Sequence, residues 1–401
     1  MRSSAAGRSY WAAVSQSRRW WCDCGCGGGQ GGGQRNVPRA ADGGGAVASG
    51  WRETVHMEVE MAEYMTITVD AMGGDNAPEA VVEGCLLALG RGAGYRLQLI
   101  GDEAAIRRIL TEHGYKGDRI EILNATQVIG GDEVPTKAIR EKKDSSIVRG
   151  LSLLKEKRTD AFFSCGNTGA LLTGAMLIAG RIEGVDRPAL APMIPTGRGF
   201  AMLIDAGLNT SCKPVNYEQF AEIGSIYMKT MYKIASPKVG LLNVGTEENK
   251  GTEIVKEAYG RLAALRDINF IGNIEGRDLT DGKCDVAVCD GFVGNVVLKC
   301  YESIGSYIKF GITDVFRRNT RSRLAAALVK KDIRAFFKQF DYEEYGGTPI
   351  LGVGGSVFKG HGNASAKTVM CAIDCAVAFA KTSVLDQIRD RFAVNALAGE
   401  L

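Results

Sequence analysis

From Thr66 onward the chain alternates short β-rich apolar runs with longer stretches of helical period. The runs fall at residues 66–70, 96–100, 120–123, 161–164, 201–205, 238–243, 269–272 and 285–290. Strand, helix and strand at this spacing predict an α/β fold, a largely parallel sheet flanked by helices. Helix starts are legible too. Asn76 and Pro78 precede the stretch 79–89, as an Asn cap and an early Pro would, and Asn363-Ala364-Ser365 opens the stretch to 381. Residues 161–180 carry no charge and match the roughly 20 residues of a membrane span. The polar turn at Ser164–Gly169 splits them, which predicts a buried strand followed by a helix.

Residues 1–64 differ in kind, with Trp20-Trp21, a glycine run at 27–33, and no period of either sort. They are expected to form a disordered extension, and an over-extended start, with Met57, Met61 or Met65 as the true beginning, accounts for it. Residues 65–401 then form the α/β domain. A net charge of +3 is too small to imply nucleic-acid binding. The 11 cysteines are scattered, mostly in apolar runs, and read as reduced thiols of a cytoplasmic protein. Cys22, Cys24 and Cys26 are too close together for paired zinc spacing, so no metal is expected there, and no cofactor is expected either.

One theme recurs where strands end. Gly73-Gly74-Asp75-Asn76 follows Asp70, Gly207 and Asn209 follow Asp205, and Asp290-Gly291 is followed by Gly294-Asn295. The carboxyl ends of parallel strands border the ligand crevice, so these turns are expected to converge there and offer amides to an anion. Gly166-Asn167-Thr168-Gly169 repeats the logic, with a tight helix–sheet contact as the plainer explanation of its glycines. Asn243-Val244-Gly245 opens a polar loop that suits a substrate.

Of three histidines, His361 stands in a glycine-rich stretch that includes Gly354 and Gly355, just before a helix, and is the candidate for a site. Lys213 is the best lone cation near a strand end, or else a solvated lysine. Cys165 suits an acyl-accepting nucleophile or, more plainly, a buried thiol. A helical hairpin at about 305–345 is expected to protrude. Its Arg317, Arg318, Arg321, Arg323, Lys330 and Lys331 mingle with apolar residues, which suits an acidic partner or an anionic membrane surface as well as a solvated pair.

The stretches VDAMGGDNAPEAVVEG at 69–84, SCGNTGALLTGA at 164–175, LLNVGTEENKG at 241–251, CDGFVGNVVLK at 289–299 and LGVGGSVFKGHGNAS at 351–365 closely resemble the bacterial phosphate acyltransferases of phospholipid synthesis. The resemblance covers about residue 65 to the end. It implies a fold similar to the phosphotransacetylase and isopropylmalate dehydrogenase group, and transfer of a fatty acyl group from acyl-carrier protein to inorganic phosphate. It further implies a homodimer at the inner face of the membrane and a product passed to a membrane glycerol-3-phosphate acyltransferase. On the physical reading, Lys213 and the glycine turns hold phosphate while Asn167, Asn243 or His361 stabilises the oxyanion. A NAD-dependent dehydrogenase of related fold is the rival, weakened by the absent Gly-x-Gly-x-x-Gly turn. A thiolase-like enzyme would act through Cys165, and a non-catalytic membrane adaptor would use the basic hairpin but leave the polar strand-end turns idle.

Overall fold

The computed structural model describes residues 64–339 and 346–398, and the expected N-terminal extension and the hairpin's last residues lie outside them. Eight predicted strands are present, and they divide between two sheets rather than lying in one. In the first, β1 (Met65–Asp70) is followed by α1 (Glu79–Arg91), β2 (Tyr95–Gly101), α2 (Glu103–Glu112), β3 (Ile120–Asn124), α3 (Pro135–Glu141), α4 (Ser146–Lys155) and β4 (Ala161–Ser164). These four strands are parallel, and β4 pairs with β1 on the side away from β2. The strand order therefore reverses between β1 and β4, which is where an open α/β sheet leaves its crevice.

After β4, α5 (Thr168–Gly174) runs on into a π-helical turn at Ala175–Ala179 and then β5 (Ala189–Leu190). The second sheet holds β6 (Met193–Thr196), β7 (Gly199–Ile204), β8 (Lys238–Leu242), β9 (Asn269–Ile274) and β10 (Val286–Val288), in the order β6-β7-β10-β8-β9. Between them lie α6 (Pro214–Tyr232), α7 (Glu253–Ala264) and α8 (Gly276–Thr280). The chain then forms α9 (Gly291–Arg317) and α10 (Thr320–Gln339) before β11 (Thr348–Leu351) and β12 (Ser356–Lys359) return to the first sheet. There β12 lies parallel to β4, while β11 is antiparallel to both β12 and β5. Helices α11 (Ala366–Ala380) and α12 (Val384–Ala398) are the last of the described elements.

The central strands are buried on both faces, which is why they read as continuous apolar runs rather than alternating ones. Phe162, Phe163, Phe220, Phe358 and Phe392 are fully buried, each contributing about 1.5–3 kcal/mol by leaving water. Side chains cap the helices facing the crevice: Asn167 accepts from Ala170 N, Asp290 from Val293 N and Ser365 from Thr368 N. Among the described residues no single helix is long and apolar enough to cross a membrane.

Candidate active site

The site begins with a carboxylate that ends β1. Asp70 is buried, and its Oδ2 accepts from Ser164 Oγ at 2.6 Å while Oδ1 accepts from Met72 N at 3.1 Å. Burial raises its pKa, and hydrogen bonds from Ser146, Ser164 and the Met72 and Gly73 amides work against that rise. Asp70 thus fastens the ends of β1 and β4 to each other. The backbones come so close that a β-carbon on Gly73 would lie 2.6 Å from Gly166 N. The turn after β12 joins them. Asp75 N donates to Gly362 O at 2.6 Å, and Asn76 Nδ2 donates to the Asn363 and Ala364 carbonyls, each at 3.2 Å. Three strand-end loops, after β1, β4 and β12, therefore meet at the point where strand order reverses.

The second sheet repeats the device. Asp205, buried just past β7, accepts from the amides of Leu190, Leu208 and Asn209 and from Asn209 Nδ2. The first turn of α9 presses onto it, and a β-carbon on Gly294 would collide with the Asp205 carbonyl oxygen. Asp290 caps that helix and takes a hydrogen bond from Tyr217 Oη at 3.2 Å. Asn295 packs over Gly207. Helix α9 then carries the connection back to the first sheet.

Two turns along α9, Lys299 Nζ and Glu302 Oε2 form an ion pair at 2.8 Å, and Glu302 Oε1 lies 3.6 Å from His361 Nε2. Lys359, the last residue of β12, pairs in register with Ser164. Burial, together with the charge of Lys299, lowers the Lys359 pKa against the opposing pull of Glu302. His361 is lowered as well, by burial first and then by Lys359, so its imidazole is neutral at neutral pH. A half-buried ammonium and a neutral imidazole, beside fastened backbone turns, can bind an anion and hold a proton at a reacting centre.

The comparisons with known proteins bear on which chemistry this is. Residues 65–387 match the family model described as "Fatty acid synthesis protein". A phosphate acyltransferase of Acetivibrio thermocellus is 55% identical over 328 residues, covering 82% of this chain and 96% of that protein. The chain belongs to the phosphate acyltransferase family. A second member, from Thermoanaerobacter pseudethanolicus, is 45% identical over 84% of this chain and 99% of its own length. Solved structures resemble the fold. A phosphotransacetylase from Streptococcus pyogenes superposes with TM-score 0.55 at 16% identity, over 79% of this chain and 94% of that one. The EutD phosphotransacetylase from Staphylococcus aureus gives 0.53 at 15%, over 80% and 95%. Membership makes this chain an acyltransferase and sets aside the dehydrogenase and adaptor readings.

The site residues expected from the physical reading of the sequence sort by position. Gly73, Gly74, Asp75, Asn76, Gly166 and His361 belong to the junction of the three loops. Asn76 ties loops together through its side chain and leaves the cap position of α1 to Pro78, against the sequence expectation. Asn167 lies nearby, but both ends of its amide are engaged: Oδ1 caps α5, and Nδ2 donates to the carbonyls of Gly130, Gly131 and Glu133. That geometry makes it a fastener of the 130–133 loop, not a donor to an oxyanion. Thr168 is exposed at the start of α5, and Gly169 gives room to Pro135.

Asn243 is engaged in the same way, accepting from Val244 N and donating to Lys250 O. It shapes the loop that contains Gly245, whose side-chain neighbours are Glu247 and Lys250 of that same loop. Asp290, Gly291 and Asn295 belong to the cluster on Asp205. Lys213 begins α6 with its side chain 73% exposed, 3.9 Å from Asp186 Oδ2. Gly354 and Gly355 precede β12 and so lie at the opposite end of that strand from His361. Their smallness admits the Ala179 carbonyl and the Leu154 side chain. Cys165 is buried, and burial pushes its thiol up to about 12, which argues against a nucleophilic thiolate. Among the described residues no group of three His, Cys, Asp or Glu is placed to hold a metal.

Arg317, Arg318, Arg321, Arg323, Lys330 and Lys331 are all exposed along the end of α9, the short link after it and α10, with Arg318 paired to Asp314 at 3.1 Å. Exposed apolar residues interleave with them, including Tyr307, Phe310, Leu324 and Leu328. Sequence reasoning missed Lys359, Lys299 and Glu302 as site residues. The signal available was a lysine at the end of an apolar run and a Lys–Glu pair at i, i+3.

Proposed function

We propose that this chain transfers a fatty acyl group from acyl-carrier protein to inorganic phosphate in the crevice beyond β1, β4 and β12. The observation that carries this reading is the pairing of a half-buried lysine with a neutral histidine at the loop junction, in a member of the phosphate acyltransferase family. A phosphate oxygen attacks the thioester carbonyl carbon, the new C–O bond forms and the C–S bond breaks. Hydrogenphosphate and thioester become acyl-phosphate and thiol, and the proton of the phosphate passes to the departing sulfur. A thiol pKa of about 8.5 makes that sulfur a good leaving group, so no covalent enzyme intermediate is needed. His361, neutral and held near Glu302, is placed to relay the proton.

The exposed basic and apolar hairpin supports the rest of the reading: an acidic carrier and an anionic membrane face as contacts, a second copy of the chain as partner, and a position at the cytoplasmic face of the membrane. The product then goes to a membrane glycerol-3-phosphate acyltransferase. The test incubates the full chain with acyl-[acyl-carrier protein] and phosphate. A hydroxylamine-reactive product with one free carrier thiol per transfer is expected. Free thiol released equally without phosphate would mean hydrolysis and would sink the reading.

A further inference from the structure

We propose that Lys359 is the residue that grips the attacking phosphate, an assignment that rests on the function proposed above and names the cation it requires. Three observations lead to it. Lys359 ends β12 beside Ser164, whose hydroxyl holds Asp70, and two residues before His361, so it stands where the three loops meet. Gly360 N donates to Ser164 O at 2.8 Å and Gly362 O accepts from Asp75 N, which fixes the backbone on the far side of the lysine.

The second observation is a missing counter-charge. Among the described residues the Lys359 ammonium has no hydrogen bond and no carboxylate within ion-pair distance, although burial lowers its pKa. Lys299 by contrast is bound to Glu302, and Lys213 lies mostly in water near Asp186. A cation withdrawn from water without a partner is costly, and an anion brought to it recovers that cost.

The third is the local balance of charge. Lys299 and Glu302 face Lys359 from α9, Cys165 faces it from the end of β4, and His361 follows it on the same segment. Asp75 lies across the junction against Gly362. With Cys165 protonated, His361 neutral and Lys299 matched to Glu302, the Lys359 charge is left for a ligand. An oxyanion with several oxygens accepts from the ammonium and still has an oxygen free to attack.

The experiment compares Lys359→Gln and Lys359→Arg with the unmutated full chain. For Lys359→Gln the phosphate KM is expected to rise about tenfold or more while the donor KM stays within about twofold. The wild-type phosphate KM should climb toward alkaline pH as Lys359 loses its proton. Lys359→Arg, charged throughout, should bind phosphate at neutral pH and lack that climb. An unchanged phosphate KM in Lys359→Gln, or a rise confined to the donor KM, overturns the assignment.

Calorimetric titration with inorganic phosphate reads the same claim without turnover. If the wild type binds phosphate but makes no acyl-phosphate and Lys359→Gln no longer binds, the proposed function falls and Lys359 stands. If the wild type turns over and Lys359→Gln binds phosphate equally well, the reverse holds. Should the variants fold poorly, acetylation of the unmutated chain decides the matter. Phosphate is expected to protect Lys359 and leave the exposed Lys155 unaffected, and equal acetylation of Lys359 with and without phosphate overturns the proposal.

Discussion

His361 Nε2 and Glu302 Oε1 stand 3.6 Å apart, joining the loop after β12 to the third turn of α9. Glu302 raises the histidine pKa against burial and the nearby lysines. Removing its charge therefore lowers that pKa further, and the neutral, working imidazole persists to lower pH. In Glu302→Gln the acid limb of kcat/KM is expected to move to lower pH, measured from about pH 5 to 8. A limb that stays in place would detach Glu302 from the histidine's role.

His361→Ala should lower kcat by about a hundredfold or more, the usual range for a lost proton relay, with a far smaller change in phosphate KM. Steady-state kinetics with varied phosphate check this. An unchanged kcat would take the imidazole out of the proton path.

Stability away from the site turns on one buried carboxylate. Glu222 of α6 is 3% exposed, and Arg391 of α12 reaches its Oε1 through Nη2 at 2.5 Å and Nε at 2.8 Å. Burial raises the Glu222 pKa while Arg391 lowers it. Arg391→Leu alone should cost about 3 kcal/mol, because the carboxylate then lies buried without its partner. The double variant with Glu222→Gln should recover much of this. Urea denaturation of the two variants checks the order.

Reversing charge at Arg317, Arg321 and Lys331 together should raise the KM for an acyl-carrier protein about tenfold at low salt, with a weaker effect as salt rises. A small thioester that lacks the carrier should be used as before. Equal loss with both donors would point to damage to the site and not to docking.

Much of this arrangement could be read from the chain because it depends on local signals. Continuous apolar runs mark buried parallel strands, and Asp-Gly-Asn groups mark the turns that end them. The contact of Asp70 with Ser164 depends on β4 lying beside β1, and the α/β alternation implied parallel strands without giving that order. The short strands β5, β6, β11 and β12 carry too few residues to show a period. Without β12 in view, Lys359 was one lysine among many, and its meaning depends on Ser164 and Glu302, which are far away in sequence. Asn167 and Asn243 show the converse limit. A polar residue at a strand end looks the same whether its amide faces a ligand or closes its own loop, and only the partners decide.

Helix α9 begins on Asp205, passes His361 at Glu302 and continues to Arg317 as one unbroken element. At 1.5 Å per residue, the stretch from Glu302 to Arg317 amounts to about 22 Å. On the docking proposed above, a donor gripped by the outer arginines needs a slender tether of roughly that length to deliver its thioester, and a short rigid one would leave the cargo stranded.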